Sequence, residues 1–428
     1  MLKTDKVTYN KEIKMSKFVF KEPELPFIDY YEFINTPIIN KYKAMFSLLD
    51  LSKIKRYNDS VGCTGYDSHS MIKAIIIKTL EHVPSIKKLI YFLKNNLYLS
   101  KYVVGFRDTI PHSSKFTRFL KDFPSDKILQ LMANVNKQTY KEENKSISTI
   151  AIDSKPIIAN TKENNPKNFY HNLSDKTKKP KKNEDATLHH FSSTNDINGR
   201  KKVVFFWGYR IHIIIDADRD LPLICKVEPN NQTDSTVAPK LYEQLKILYE
   251  LADFEYIIQT ADKGYDTRNV IETFFELFHG KSVIPKNHRA TKPNKNLSNK
   301  GVPICEAGLE MKSNGGWKDG HRFRYKFRCP KIKESCVFRK KAYGCVKYIQ
   351  ITDPIKGRVQ PFSKLYKDTY YKRQSVERVN AFLQYLNLET QKHFNKKAIE
   401  NTLCLALLGK CLMYAAFKMK TVKLKKVA

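Results

Sequence analysis

The sequence predicts an α/β protein: a mixed sheet flanked by helices, preceded by an all-α N-terminal domain and interrupted by a β-rich insertion before the last helices. Three observations predict it. From Tyr30 to Tyr140 apolar residues recur at helical spacing, as in Met71, Ile75, Ile76 and Leu80. From Ser148 the pattern changes to short β-branched runs alternating with helical stretches. Residues 286–363 are rich in strand formers, and a helical pattern returns only after them.

In the N-terminal region Ser68 is a plausible cap of one helix, Ser85 opens a second through Leu89, Phe92 and Leu93, and Ser113 opens a third. Gly105 and Pro111 mark the loop before that third helix, which carries Lys115, Arg118 and Lys121 beside Phe116 and Phe119. A short basic helix after a helix and a loop suits a DNA major groove, and equally a helical bundle with solvated lysines. Next come Ser148 to Asp153, Val203 to Asp216 and Leu221 to Glu228 as three strands. Asp234 then caps a helix with Leu241, Leu245 and Leu248 on its sheet side. Tyr256 to Asp262 is a fourth strand, Thr267 to Phe278 a helix, and Ser282 to Pro285 a fifth strand. Three consecutive strands followed by helix, strand, helix, strand and a late helix is the element order of an RNase H-like fold. The expected organisation is a tail (1–29), a helical DNA-binding domain (30–145), a core (146–285, with a basic loop at 160–202), an insertion (286–363), the last core helices (364–420) and a basic tail (421–428).

The formal net charge is +34, from 77 Lys and Arg against 43 Asp and Glu. With 41% hydrophobic residues the chain builds a large core, so the excess charge decorates a folded surface and suits a polyanion such as nucleic acid. Met1 to Lys17 holds no apolar stretch of the signal-peptide kind, and the apolar run Leu403 to Phe417 is interrupted by Lys410. The expected location is the cytoplasm, in association with the nucleoid, with no membrane contact. Eight cysteines without such a signal read as reduced thiols.

Tyr370, Arg373, Glu377 and Gln384 fall on one face of a single expected helix, beside the apolar stripe Val376, Val379, Leu383 and Leu386. Glu377 therefore sits where core meets solvent. The acids Asp153 and Asp262 are expected at strand ends, from which two strands and a late helix bring three carboxylates together. Such a set has a chemical use, because Mg²⁺ or Mn²⁺ takes oxygen ligands and two ions about 4 Å apart serve displacement at phosphorus. Any one of the three acids alone is more simply a cap or a solvated charge.

Ile152-Asp153-Ser154-Lys155, Gly208 to His212, Asn230 to Asp234, Thr260 to Asp266 and the Tyr370, Arg373, Glu377 signature resemble the DDE transposases of bacterial insertion sequences. Residues 65–120, with Gly65, Ser85 and Pro111 to Phe119, are similar to that family's helical N-terminal domain. The resemblance implies a metal-dependent enzyme that cleaves element ends to a 3′-OH and joins them to target DNA, with Asp153, Asp262 and Glu377 as catalytic metal ligands. It implies double-stranded DNA as partner, through element ends and target, with Tyr370 and Arg373 touching it; Lys115 and Arg118 on the basic helix, and Lys263, are further candidate contacts. Gln384 stands where the family has lysine, which leaves that DNA contact in doubt and the metal ligands intact. Synapsis of two ends implies a homodimer. The alternatives are a related nuclease without strand transfer and a catalytically silent DNA-binding derivative.

Two stretches exceed a minimal core. The basic loop, with Asp175 to Lys182, is a solvated loop or a phosphate-gripping arm. The insertion holds Cys305, Cys329, Cys336 and Cys345, separated by 23, 6 and 8 residues. Structural Zn²⁺ is possible there, but such sites favour close pairs, so buried thiols are the simpler expectation. Trp317, Arg322, Arg324, Arg328 and Arg339 suit DNA, although Trp317 is equally a core residue. His212 reads as a satisfied strand histidine, Asp266 as a helix cap, and Lys263 as a phosphate contact or a loop decoration.

Overall fold

The computed structural model describes residues 36–57, 65–106, 109–165, 179–195, 201–251, 256–287, 296–298, 300–320, 322–330, 336–338, 344–351 and 354–427. Expectations for residues 1–29, the start of the basic run at Asp175, and Arg339 fall outside them. The chain divides into two compact units, 1–116 with 415–428, and 117–414.

In the first unit, α1 (Pro37–Phe46), α2 (Ser68–Leu80) and α3 (Ile86–Asn95) precede a π-helical turn, Leu99–Val104. Their inward faces supply Tyr42, Met45, Ile72, Ile75, Leu89 and Leu93 to a common interior. Ser85 caps α3 by accepting from Lys88 N at 3.2 Å. The cap of α2 is Asp67 instead of Ser68, because its carboxylate accepts from His69 N at 2.9 Å and from the Ser70 hydroxyl. Helix α4 (Ser113–Asp122) buries Phe116 and Leu120 and leaves Lys115 and Arg118 exposed.

The larger unit, which begins within α4, continues with α5 (Ser125–Glu143) and the strands β1 (Thr149–Ile158), β2 (Thr187–Asn195), β3 (Lys201–Asp216) and β4 (Leu221–Pro229). Helix α6 (Asp234–Tyr249), β5 (Ile258–Thr260), α7 (Arg268–Phe278) and β6 (Lys281–Val283) follow. The strand order is β2-β3-β1-β5-β6, with β4 also on β3. β3 is long enough to pair β2 through its first half and β4 through its second, while β1 lies antiparallel along its other edge. β5 and β6 then continue in parallel. Antiparallel β4-β3-β1 joined to parallel β5-β6 is the RNase H-like arrangement, built as the element order predicts.

Two local expectations change. β1 does not end at Asp153: it continues through Pro156 to Ile158, because β3 offers matching backbone as far as Gly208. The 160–202 stretch is not loop throughout, since β2 pairs β3 there.

The insertion forms its own three-stranded sheet, β7 (Lys312–Asp319), β8 (Arg322–Arg328) and β9 (Val346–Ile351), over a core of Val302, Cys305, Met311, Phe327 and Phe362. After it come α8 (Lys364–Thr369), a 3₁₀ turn (Tyr370–Arg373), α9 (Gln374–Tyr385) and α10 (Lys396–Val427). Within α10 the stretch Lys396–Met419 is apolar enough to cross a membrane by length and composition, but 61% of that window is buried in the protein. Asn401 ties α10 to the carbonyls of Leu120 and Phe123, each at 2.8 Å. It is the core helix that the sequence implies.

Candidate active site

The parallel pairing of β1 with β5 matches Ala151 to Thr260. Two residues beyond that last pair stand Asp153, still on β1, and Asp262, just past the end of β5, so the two acids lie at the same end of neighbouring strands. Asp262 leaves the strand and caps a short 3₁₀ turn, accepting from Gly264 N at 2.6 Å. Asp153 accepts from Ser154 N at 2.8 Å and from the Asn380 amide of α9 at 3.3 Å. Burial pushes its carboxyl up to about 6, and the negative charges of Asp262 and Asp234 act in the same direction, against Ser154 N–H and Arg373.

Glu377 lies in the first turn of α9, where Val376, Val379 and Leu383 anchor the helix on the sheet. Its side chain is 54% exposed and accepts from Arg373 at 2.5 Å. The single helix expected for Tyr370 to Gln384 is broken: Tyr370 and Arg373 belong to the 3₁₀ turn that precedes α9. The turn draws Arg373 into the electrostatic neighbourhood of Asp153 as well as Glu377, and brings Tyr370 near Asp262 and Glu377. Tyr370 also stacks on Tyr366, with centroids 5.1 Å apart. Lys263 and Gln384 are exposed.

A divalent cation fits the donors present. They are carboxylate oxygens, one of them destabilised as an anion by burial and by two neighbouring acids, and the buried Oδ1 atoms of Asp234 and Asn380 have no hydrogen bond. The set is not closed around a point: among the described residues no three His, Cys, Asp or Glu side chains are gathered to hold an ion. Arg373 holds Glu377, as described above. The insertion cysteines fall under the same statement. Cys329 N donates to Cys345 O at 2.9 Å, and Cys305 and Cys345 share the insertion core.

Sequence reasoning missed several neighbours. Asp234 does not cap α6, since Thr233 occupies that position; its carboxylate instead meets Arg210 and His212, each at 3.5 Å. His212 is not satisfied: it is fully buried, and neither ring nitrogen makes a hydrogen bond. Asp266 does not cap α7, which Thr267 does; it pairs with Arg358 and accepts from Asn287 N at 2.7 Å. Asn380 follows Glu377 by three residues, so one helical face carries both, and that spacing was the available signal.

Residues 144–409 match the family model described as transposase DDE domain, and residues 34–122 match the one described as transposase domain (DUF772). Comparison with curated proteins gives no match. Similar solved structures include a piggyBac transposase synaptic complex with hairpin DNA, at 11% identity and a TM-score of 0.39, covering 91% of this chain and 75% of that one. A Mos1 transposase paired-end complex with the left transposon end shows 12% identity and a TM-score of 0.18, covering 53% of this chain and 61% of that one. With more than half of its length matched by the first model, the chain belongs to the transposase DDE domain family.

Proposed function

We propose that this transposase exposes a 3′-OH at each element end and joins it to target DNA, with Asp153, Asp262 and Glu377 as its catalytic carboxylates. The observation that supports this most is the β1–β5 register, which sets Asp153 beside Asp262 with a carboxyl that burial and neighbouring acids make costly to ionise. Two Mg²⁺ or Mn²⁺ ions bound there would supply charge neutralisation at phosphorus and activation of the attacking oxygen. The chain's own residues do the rest. Asn380 and Ser154 N–H orient the Asp153 carboxylate. Gly264 N–H orients that of Asp262. Arg373 carries a charge that can pass from Glu377 to a DNA phosphate.

Double-stranded DNA is met by Tyr370 and Arg373 at the site, by Lys263 and Gln384 beside it, and by Lys115 and Arg118 on α4. Two copies act together in synapsis, in the cytoplasm on nucleoid DNA. Structural zinc on Cys305, Cys329, Cys336 and Cys345 is a separate proposal, and absence of zinc from the purified protein would end it.

The test supplies a pre-cleaved element end with a free 3′-OH, target plasmid, and Mg²⁺ or Mn²⁺. Joined product that Asp262→Asn abolishes, while end binding persists, supports the reading. Cleavage without joining favours a nuclease, and binding alone favours a silent DNA-binding derivative.

A further inference from the structure

Asp234 belongs to no part of the expected triad, yet it stands at its edge. A methyl group placed on Gly264 would lie 2.9 Å from Asp262 Oδ1 and 3.4 Å from Asp234 Oδ2, so one carbon would touch both carboxylates. The Asp234 side chain is only 19% exposed.

The charge of Asp234 is poorly balanced by its surroundings. Arg210 reaches Oδ2 at 3.5 Å, a long contact, and spends its shorter ones on the Ser154 hydroxyl at 3.2 Å and on His189 Nε2 at 3.0 Å. His212 approaches Oδ1 at 3.5 Å without forming a hydrogen bond. Oδ1 itself makes no hydrogen bond, and neither does either ring nitrogen of His212, which is fully buried in β3 opposite Ser154. Unpaired buried polar groups beside a carboxylate are costly unless something further completes them. A structural ion pair would close those contacts tightly. This arrangement leaves Asp234 Oδ1 and both His212 ring nitrogens buried without a hydrogen bond, beside a single long contact to Arg210.

We propose that Asp234 is a further cation-binding carboxylate of the same site, held toward Asp262 by His212 and Arg210. The proposal rests on the reading of Asp153 and Asp262 as metal ligands and adds a fourth acid to that set. Gly264 is the spacer that lets Asp234 and Asp262 face the same ion, because any side chain there would enter the gap. His212 is a positioning residue: its fully buried ring stands 3.5 Å from Oδ1.

The experiment titrates full-length protein, without DNA, with Mn²⁺ and reads free Mn²⁺ by electron paramagnetic resonance. Wild type, Asp234→Asn, Asp234→Glu, Asp262→Asn, His212→Gln and the exposed control Glu276→Gln are compared, with thermal melting recorded for each. Loss of one negative charge this close to a bound cation is expected to weaken Mn²⁺ binding roughly tenfold in Asp234→Asn. Asp234→Glu is expected to recover part of it, His212→Gln to weaken it less, and Glu276→Gln to leave it unchanged. Wild-type affinity in folded Asp234→Asn, with affinity lost in Asp262→Asn, overturns the proposal and leaves the triad standing. Unchanged affinity in Asp262→Asn as well removes the reading beneath it. Should Asp234→Asn fail to fold, Asp234→Glu decides: affinity as low as that of Asp262→Asn contradicts a carboxylate role, and affinity above it supports one.

Discussion

Asp153 shows how much one residue owes to its strand. Its carboxyl is pushed up to about 6 because β1 is buried and two more acids face it, although the sequence offers only an acid after a β-branched run. The acid itself was legible; its place in mid-strand was not, since Ser154-Lys155-Pro156 looks like a stop and only the β3 partner keeps the strand going. Asp234 and His212 were legible only as a cap and as an unremarkable strand residue, because the long-range contacts that join them to each other and to Arg210 leave no trace in local spacing. Gly264 tests this scale directly. Gly264→Ala is expected to lower strand transfer by roughly tenfold to a hundredfold, through displacement of Asp262 by a methyl group 2.9 Å away, with an unchanged circular dichroism spectrum. Full activity in that variant would mean that the Asp262 carboxylate is not where the chemistry occurs.

Elements were read best where their hydrophobic period was strong. β3, β4, α6 and α7 follow their sequence patterns closely, and the insertion is β-rich as its composition implies. β2 was missed because an edge strand of Thr, His and Ser shows no apolar alternation; its order comes from backbone pairing with β3. The run from Tyr370 was read as one helix, but the chain tightens into a 3₁₀ turn before α9, which side-chain period alone does not register. Helix α5 supplies a test at this scale. Asn136, fully buried, donates to Pro222 O at 2.8 Å and to the Tyr249 hydroxyl at 2.9 Å, joining α5 to β4 and α6. Asn136→Ala leaves both acceptors without that donor and is expected to cost about 2 kcal/mol, read as a lower denaturant midpoint. A shift indistinguishable from zero would show that water replaces the amide there.

At the scale of the whole molecule, charge governs behaviour. A net charge of +34 predicts that affinity for any DNA falls steeply as salt rises, measured by fluorescence anisotropy across a salt series. A flat salt profile would contradict a phosphate-dominated surface. Glu400 on α10 gives the chain a pH signature of its own. Burial raises its carboxyl to about 7, against partial relief from Lys226 and Lys396. Its folded value lies above its ordinary 4.5, so its stabilising contribution is complete below about 4.5 and is lost as pH rises through about 7. Glu400→Gln is therefore expected to stabilise the protein by on the order of 2 kcal/mol at pH 8 and to change nothing at pH 4, measured by thermal melting. The central claim is that Glu377, which stands on a separate helix and pairs with Arg373 here, acts with Asp153 and Asp262 in one site. Strand transfer from a pre-cleaved end by Glu377→Gln tests it most directly: the account predicts normal end binding with no joined product, and joined product at the wild-type rate would contradict it.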